Sequence, residues 1–375
     1  MFKKFFIYPV FLAIFISFFG AMGLGAVVKY HYEGGKKYQF LQKSVMLIAS
    51  VPVNVGIMIK YRAFNLDTLE TLSKHKDKKR FEQFIPNKRN ALLVLPRYDN
   101  SLSRSVVDIV DLNNFEVIHT YKHDIAEMND QVTNTEEFPR LKIDNSPIRF
   151  LYNQPLIFDD GSLISFSDNG PMFKIDFCSN LGWINDEEKF HHGQNMDYEG
   201  NIWVAGRMNP KSQYVKKYSL KDYVDDSIIK INTDGQILYN KSLTEILIEN
   251  NIVSDNFALN ANLFEDKDPI HLNDIQPVLK DTQYWKQGDV FLSPRNQSSI
   301  IHYRPSNNKV INYITGPFSQ QHDVDIISDK EITIFNNNNF AVDNKYSEVV
   351  IYNFETDKFK KLFNDQLQKN YFKTT

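Results

Sequence analysis

The chain has 375 residues, of which 42% are hydrophobic and 24% are charged, and its formal net charge is -3. This composition excludes an intrinsically disordered protein, and the length allows one large domain with a sizeable core. Without a basic excess, nucleic acid is not an expected partner. Cys178 is the only cysteine, which excludes an intrachain disulfide. We expect it to be a buried structural residue rather than a nucleophile.

The first predicted element is an apolar segment, residues 5–28, which follows Lys3 and Lys4. A helix needs about 20 apolar residues to cross a bilayer, and a cleaved signal peptide has a shorter apolar region. Residues 1–30 are therefore predicted to be a membrane anchor or signal segment, with an uncleaved anchor favoured. Lysines also follow the segment, so the charge distribution does not favour a cytoplasmic N-terminus.

A connecting region, residues 31–89, is predicted to be partly helical. Its apolar stretch at residues 45–59 is interrupted by Pro52 and Asn54. The stretch is too short and too broken to span a bilayer, so we expect a buried or interfacial helix there.

Short apolar runs separated by turn-forming residues begin near Asn90. The order of strand, turn, strand and further hairpin recurs about five times, which is typical of an all-β array of four-stranded blades. Residues 90–375 are therefore predicted to form a β-propeller, with a β-sandwich or barrel as the alternative. Predicted hairpin turns lie at residues 111–114, 232–235, 305–308 and 354–357.

Three histidines share a local sequence pattern. His192, His271 and His322 each begin His-x-x-Asp/Asn-Ile/Met, followed by a β-turn and an apolar strand, and the second copy carries an insertion around residues 280–286. Equivalent positions in the blades of a propeller surround one central channel, so the three rings are expected to converge. Imidazole can act as nucleophile, acid, base or metal ligand, so this convergence predicts a functional site.

Arg295 follows the strand of the second copy, where a loop is expected to return over the channel. A guanidinium is always charged and offers a planar pair of donors to an oxyanion. Because it accompanies His271, we interpret Arg295 as an anion-binding residue, with an ordinary surface arginine as the alternative.

The same segments, in the same order, resemble the bacterial arylsulfotransferase family. The resemblance extends over most of the chain from Ala91 to Phe363, and the ordered set is specific although each short motif alone is weak. The matching stretches are His191-His192, Gly200-Asn201-Ile202-Trp203, His271-Leu272-Asn273-Asp274, Phe291-Leu292-Ser293-Pro294-Arg295-Asn296-Gln297-Ser298, Gly316-Pro317-Phe318, Gln321-His322-Asp323 and Ile334-Phe335-Asn336-Asn337.

The resemblance implies a six-bladed β-propeller that transfers a sulfuryl group from an aryl sulfate donor to a phenolic acceptor. It implies a ping-pong mechanism through a sulfohistidine, without phosphoadenosine phosphosulfate or another cofactor. His322 is implied as the nucleophile, with His271 and Asn273 beside it. Arg295 is implied as the anion-binding arginine, and His192 as the remaining catalytic histidine.

Other side chains near these motifs are assigned more broadly. His191 adjoins His192, and the sequence does not choose between them, so His191 is a candidate substrate-binding residue, as is Asn273. Trp203 and Phe318 could line a slot for an aryl ring, but both are expected to pack in the core. The chain has no G-x-x-x-x-G-K-[ST] phosphate loop, which agrees with a donor that is not a nucleotide.

The apolar segment predicts a single span of the inner membrane through residues 5–28, and the resemblance implies that the catalytic domain lies in the periplasm. About five blade units can be counted in the chain where the family has six. We therefore expect an incomplete C-terminus, or a blade completed by residues 38–89. The sequence does not indicate an oligomeric state.

Two other functions remain open. Three imidazoles around a channel could hold zinc, iron or copper, which would make a metal-dependent enzyme. A propeller can also serve as a non-catalytic ligand-binding protein, because one fold supports many functions. Metal content separates the first alternative from a sulfotransferase, and turnover of a chromogenic aryl sulfate separates the second.

Overall fold

The computed structural model describes residues 7–32, 81, 83, 86–99, 101–102, 104–145, 147, 149–217, 223–252, 268–337 and 347–363. The chain forms two compact units, Met1–Pro86 and Asn87–Thr375. Most of the connecting region, including the apolar stretch at 45–59, lies outside the described residues.

Helix α1 (Ile7–Tyr32) belongs to the first unit. Large apolar side chains cover its surface and are exposed, among them Phe11, Phe15 and Phe18. Within the described residues, no helix combines the length and the hydropathy that crossing a membrane requires.

The second unit is mostly β. Its strands are β1 (Leu92–Asp99), β2 (Arg104–Asp111), β3 (Val117–Tyr121), β4 (Asn153–Ile157), β5 (Leu163–Phe166), β6 (Gly170–Ile175), β7 (Leu181–Met196), β8 (Ile202–Arg207), β9 (Asp226–Ile231), β10 (Ile237–Ser242), β11 (Leu272–Pro277), β12 (Val290–Pro294), β13 (Ile300–Arg304), β14 (Lys309–Ile314), β15 (Val324–Ser328), β16 (Glu331–Asn336), β17 (Glu348–Asn353) and β18 (Lys358–Lys361). The helices between them are α2 (Ile125–Asp130), α3 (Leu141–Asp144), α4 (Gln213–Lys217) and α5 (Leu243–Glu249), with 3-10 turns η1 (Arg295–Gln297) and η2 (Pro305–Asn307).

The described strands form antiparallel sheets in chain order: β1-β2-β3, β4 to β10, β11 to β14, and β15 to β18. The seven-stranded sheet is held together by the long strand β7. The N-terminal part of β7 pairs with β6, and its C-terminal part pairs with β8. This sheet is therefore two four-stranded meanders that share β7, and the two C-terminal sheets are four-stranded meanders of the same kind.

The predicted hairpin turns are confirmed, and their residues explain them. In the turn between β9 and β10, the Asn232 side chain accepts hydrogen bonds from the N–H groups of Asp234 and Gln236, at 3.1 and 2.8 Å. Gly235 has φ +84°, a left-handed conformation that glycine adopts without a steric penalty. Hydrogen bonds between a side chain and nearby backbone N–H groups compete with the hydrogen bonds between strands, so the strand ends at the turn.

Sequence analysis did not assign β4, β6, β7 and the strands that directly follow His271 and His322. Strands β11 and β15, and the C-terminal part of β7, mix polar with apolar residues and lack the long apolar runs of their neighbours. Their polar side chains are nevertheless largely buried in β11, because other sheets of the unit cover them. Tertiary contact, rather than local pattern, makes these segments strands.

Apolar clusters fill the space between neighbouring sheets. Trp203 of β8 packs in one cluster with Leu272 and Leu292, and Phe318 packs in another with Ile332. Trp203 is 4% exposed and Phe318 is 6% exposed. The expected core roles of both aromatic residues are thus confirmed.

Cys178 is exposed, so the expectation of a buried structural cysteine was wrong. The apolar run before it ends with β6 at Ile175, and the chain then turns between β6 and β7. The turn is closed by a hydrogen bond from the Asp176 N–H to the Asn180 carbonyl, at 2.9 Å. Cys178 lies within this turn, where neither strand covers it.

Candidate active site

Three histidine rings converge where β7, β11 and β15 approach one another. His192 lies within β7, His271 directly precedes β11, and His322 shortly precedes β15. The ring centroids of His192 and His271 are 5.0 Å apart, and those of His192 and His322 are 5.9 Å apart. The convergence expected from the sequence is therefore present, with His192 in contact with both other rings.

Strand register shows that the three histidines are not strictly equivalent. The residues that pair with the first apolar residue of the following strand are Met196, Pro277 and Ile326. The residues four positions before these are His192, Asn273 and His322. The sequence overlay was therefore wrong in its second copy, where Asn273 holds the shared position and His271 precedes it. Residue type guided that overlay, whereas hydrogen-bond register decides which positions are equivalent.

The backbone at two of the histidines is unusual. His192 has φ 60° and His271 has φ 53°, a left-handed region that residues with a side chain rarely adopt and that recurs at functional sites. Gly193 follows His192, and a Cβ at Gly193 would lie 2.8 Å from Oδ1 of Asp274. A side chain here would displace the Asp274 carboxylate, which the Asn195 amide and the Val324 N–H hold by hydrogen bonds.

His191 is fully buried beside His192. Its Nδ1 lies 2.7 Å from Nδ1 of His192, and its Nε2 lies 3.4 Å from the Asp226 carboxylate. A residue without exposed surface cannot contact a substrate in this conformation. His191 contacts the ring of His192 in this structure, and its substrate-binding role stays a prediction.

Asp268 holds His271 through both carboxylate oxygens. Oδ1 accepts a hydrogen bond from the His271 backbone N–H at 3.0 Å, and Oδ2 lies 2.9 Å from ring Nδ1 of His271. Arg207 donates to the same Oδ2 at 3.1 Å. Because Nδ1 is engaged, Nε2 is the ring nitrogen of His271 that remains for a substrate.

Asn273 is buried and ties β11 to the segment that carries His322. Its Nδ2 donates to the Gln321 carbonyl at 2.9 Å, and its Oδ1 has no hydrogen-bond partner within the described part of the chain. The His322 backbone N–H donates to the Phe335 carbonyl at 2.9 Å. Asn273 therefore supports the backbone at His322.

Two arginines occupy the same register position but have different partners. Arg207 ends β8, and Arg295 follows β12 at the equivalent place. Arg207 forms ion pairs with Asp226 and Asp268. Two carboxylates thus offset its single charge, which leaves Arg207 poorly suited to bind a substrate anion.

The guanidinium of Arg295 donates instead to two neutral amides. Its partners are the side-chain oxygens of Asn296 and Gln320, at 3.1 and 3.4 Å. Burial lowers the pKa of Arg295, and Asp268 partly opposes that shift, but arginine stays charged in proteins. Arg295 is therefore a partly buried cation that no carboxylate contacts among the described residues, as an oxyanion site requires.

Burial also sets the charge of the histidines. It lowers the pKa of His192 far below the usual range, and the neighbouring His191 and His271 lower it further. Burial and the positive charge of Arg295 lower the pKa of His322 to about 4. Both rings are neutral at neutral pH, and a neutral imidazole has the lone pair that a nucleophile needs.

Two carboxyl groups near the histidines have pKa values above the usual range. Burial, with the nearby Asp325, raises the pKa of Asp323 to about 6. Burial, with the nearby Asp323, raises the pKa of Asp274 well above its usual value. The ionised form of Asp274 is therefore disfavoured, which lowers the electrostatic repulsion of an anionic substrate near His322.

Two cavities reach the histidine cluster. The larger has a volume of about 640 Å³ and the smaller about 330 Å³, and the larger falls within the usual range for small-molecule sites. The wall of the larger cavity includes Phe138, Lys189, Arg207, Tyr223, His271 and Arg295. The wall of the smaller includes Asp168, His192, Asn273, His322 and Asp323.

Within the described residues, one group of side chains has possible metal-ligating atoms close together. It consists of Asp168, His191 and His192, whose ligating atoms lie within 4.8 Å of one another. They differ from the three repeated histidines that the metal-dependent alternative would use. The two Nδ1 atoms of His191 and His192 are 2.7 Å apart, whereas two nitrogens on a tetrahedral zinc lie about 3.3 Å apart. The short distance fits a hydrogen bond between the rings, so we assign no metal to this group.

Sequence analysis missed Asp268, Arg207 and Asp226, which surround the histidines. Arg207 could have been found from the sequence, because its place at the end of the β8 segment matches that of Arg295 directly after the β12 segment. Asp268 lies three residues before His271, within local hydrogen-bonding reach. Asp226 opens β9 and has no local signal, because only the packing of β8, β9 and β11 brings it to His191.

Comparison with solved structures finds similar chains at low identity. A protein of unknown function from Bacteroides caccae is 10% identical, with 73% of each chain covered and a TM-score of 0.42. Virginiamycin B lyase from Staphylococcus aureus is 11% identical, with 57% of this chain and 56% of that chain covered and a TM-score of 0.34. A streptogramin B lyase is 10% identical, with 77% and 74% covered and a TM-score of 0.40.

Comparison with curated proteins finds no match. Among protein families, the sequence model described as arylsulfotransferase (ASST) matches residues 151–375. The matched range contains the histidines, both arginines and every strand from β4 to β18. This protein is thus a member of the arylsulfotransferase family.

Proposed function

We propose that this protein transfers a sulfuryl group from an aryl sulfate donor to a phenolic acceptor in a ping-pong reaction. One observation carries the proposal: within the family-matched region, three histidine rings meet at two cavities, and Arg295, in the wall of the larger, forms no ion pair with a carboxylate among the described residues. His322 is the proposed nucleophile, and the reaction uses neither phosphoadenosine phosphosulfate nor another cofactor.

In the first half-reaction, a ring nitrogen of neutral His322 forms a bond to sulfur. The bond from sulfur to the aryl oxygen breaks, and its electron pair leaves with the phenolate. A histidine that carries the proton to be transferred, His271 or His192, gives that oxygen its proton. Arg295 offsets the negative charge of the sulfonate oxygens throughout the transfer.

In the second half-reaction, the oxygen of the acceptor phenol attacks the sulfur of the sulfohistidine. The histidine that gave up its proton now takes the proton of the acceptor, and the bond between nitrogen and sulfur breaks. The covalent intermediate divides one difficult transfer into two easier steps.

A screen of aryl sulfates against phenolic acceptors tests the proposal most directly. We expect a sulfated acceptor, detected by its mass, to form only when donor and acceptor are both present. A protein that binds aryl sulfates without transferring the group would instead support the non-catalytic alternative.

For the fold, we propose a six-bladed propeller. Support comes from the repeated four-stranded meanders, because meanders of this kind around a shared channel are the blades of a propeller. The described residues contain four such meanders, counting the two that share β7, and the three-stranded sheet β1-β2-β3.

We propose that the protein is tethered to the inner membrane with its catalytic domain in the periplasm. The exposed apolar side chains of α1, such as Phe11 and Phe15, support this proposal because such surface is unfavourable in water. After an alkaline carbonate wash, full-length protein is expected in the membrane pellet. Recovery of a soluble form that begins near Val27 would indicate cleavage instead.

Purified protein is expected to transfer the sulfuryl group without a stoichiometric metal. The hydrogen-bonded pair of His191 and His192 supports this expectation, because a shared proton occupies the site of a shared ion. Elemental analysis before and after treatment with a chelator checks it. Activity that follows bound zinc, iron or copper, together with no sulfurylated protein, would favour the metal-dependent alternative.

A further inference from the structure

His271 differs from the other two converging histidines in what its ring contacts. Among the described residues, His271 is the one of the three whose ring is hydrogen-bonded to a carboxylate, at 2.9 Å. The Nδ1 of His192 faces His191 instead. A carboxylate at one ring nitrogen stabilises the protonated ring and directs the other nitrogen toward the substrate.

Asp268 is itself held firmly. Its side chain is 8% exposed, so water does not readily replace its hydrogen bonds. Asn296 donates to its backbone carbonyl at 2.6 Å, and the Arg295 N–H donates to the backbone carbonyl of His271 at 2.9 Å. The pair formed by Asp268 and His271 is thus anchored to η1.

Arg207 supplies the countercharge for Asp268. Burial alone would lower the pKa of Arg207, but Asp226 and Asp268 outweigh burial and raise it. The guanidinium therefore remains a cation that attracts the Asp268 carboxylate. Three further ionisable groups near His271, namely His192, His322 and Arg295, are neutral or cationic.

We propose that Asp268 is a positioning residue that makes His271, rather than His192, the proton carrier of the sulfuryl transfer. This inference rests on the proposed function. When the bond from sulfur to the aryl oxygen breaks, the proton on Nε2 of His271 moves to the departing oxygen, while Nδ1 keeps its proton toward Asp268. In the second half-reaction, Nε2 takes the proton of the attacking phenol, and His271 is protonated again.

The variant Asp268→Asn tests the inference in the resting protein by NMR of isotope-labelled histidine rings. In the full-length wild type, the neutral form of His271 is expected to carry its proton on Nδ1. Without the adjacent carboxylate, the preference of that proton for Nδ1 is expected to weaken in the variant. A His271→Ala variant identifies its signals among the nine histidines of the chain.

Kinetics with two donors provide the second readout. Nitrophenyl sulfate has a leaving group that departs readily as an anion, whereas phenyl sulfate has one that needs a proton. For phenyl sulfate, kcat of Asp268→Asn is expected to fall by roughly ten- to a hundredfold, with little change in KM. For nitrophenyl sulfate, kcat is expected to change far less.

Asp289→Asn is the matched control. Asp289 is also a buried carboxylate with a histidine and an arginine, since it contacts His302 at 2.8 Å and Arg304 at 2.7 Å. It lies in neither cavity at the histidine cluster. Its loss is expected to lower stability without making turnover depend on the leaving group.

An unchanged proton position on the neutral His271 ring in Asp268→Asn, or an equal loss of turnover with both donors, would overturn the inference. If Asp268→Asn does not fold, the wild type alone decides, because a neutral His271 protonated on Nε2 contradicts the proposed arrangement. If the wild type transfers no sulfuryl group, the proposed function is wrong, and so is the role of Asp268 in that reaction. The NMR comparison still shows whether Asp268 governs His271.

Discussion

The variant His322→Ala is expected to lose both half-reactions. Without the ring nitrogen no covalent intermediate can form, and loss of a nucleophile lowers kcat by on the order of 10⁴-fold or more. In the wild type, incubation with an aryl sulfate and no acceptor is expected to trap a sulfurylated peptide within residues 316–330. Mass spectrometry detects the adduct, and digestion must stay near neutral pH because a sulfonated imidazole is labile in acid.

His119→Ala is a suitable control for this variant. The His119 ring stacks on Phe177 with centroids 3.9 Å apart, and it lies on β3, away from both cavities at the site. Near-normal turnover by His322→Ala, in a preparation whose wild type is active, would remove His322 from the nucleophile role.

The pKa of His322 also predicts how the wild type responds to acid. A base whose pKa is lowered to about 4 stays neutral at every pH above that value. Protonation of His322 should therefore not reduce its reaction with the donor until the pH approaches 4. If acidification already lowers activity at a pH well above 4, the protonation of another group is responsible, such as Asp323, whose pKa is raised to about 6.

Arg295→Ala is expected to have the second-largest effect. It removes a cation that forms no ion pair among the described residues, and one oxyanion-stabilising group is worth roughly a hundred- to a thousandfold in kcat. Residual turnover should remain, because His322 can still form the intermediate. Steady-state kinetics and the yield of sulfurylated peptide together distinguish this partial loss from the complete loss in His322→Ala.

Arg97→Ala is the matched control for Arg295. Arg97 lies on β1 and is already paired with Asp99 and Asp108, at 2.8 and 2.6 Å. Its removal changes the net charge equally but leaves the site intact. If Arg295→Ala and Arg97→Ala have the same small effect, Arg295 does not bind the transferred group.

The sequence by itself determined the elements that local chemistry specifies. Apolar runs of β-branched residues predicted strands such as β9 and β16, and turn residues such as Asn232 and Gly235 predicted the hairpins between strands, because both signals act over a few residues. Ordered motifs around His192, His271, Arg295 and His322 were sufficient to indicate the arylsulfotransferase family.

Only the tertiary structure decided which groups surround those histidines. Register, not residue type, showed that Asn273 holds the position equivalent to His192, and burial showed that His191 lies behind His192. Asp226 lies at the start of β9, and the sequence of that strand does not indicate that its carboxylate belongs to the site. Hydrogen bonds between distant segments, together with burial, determine the charge and the orientation of the side chains in the site. These effects cannot be derived from residues that are neighbours along the chain.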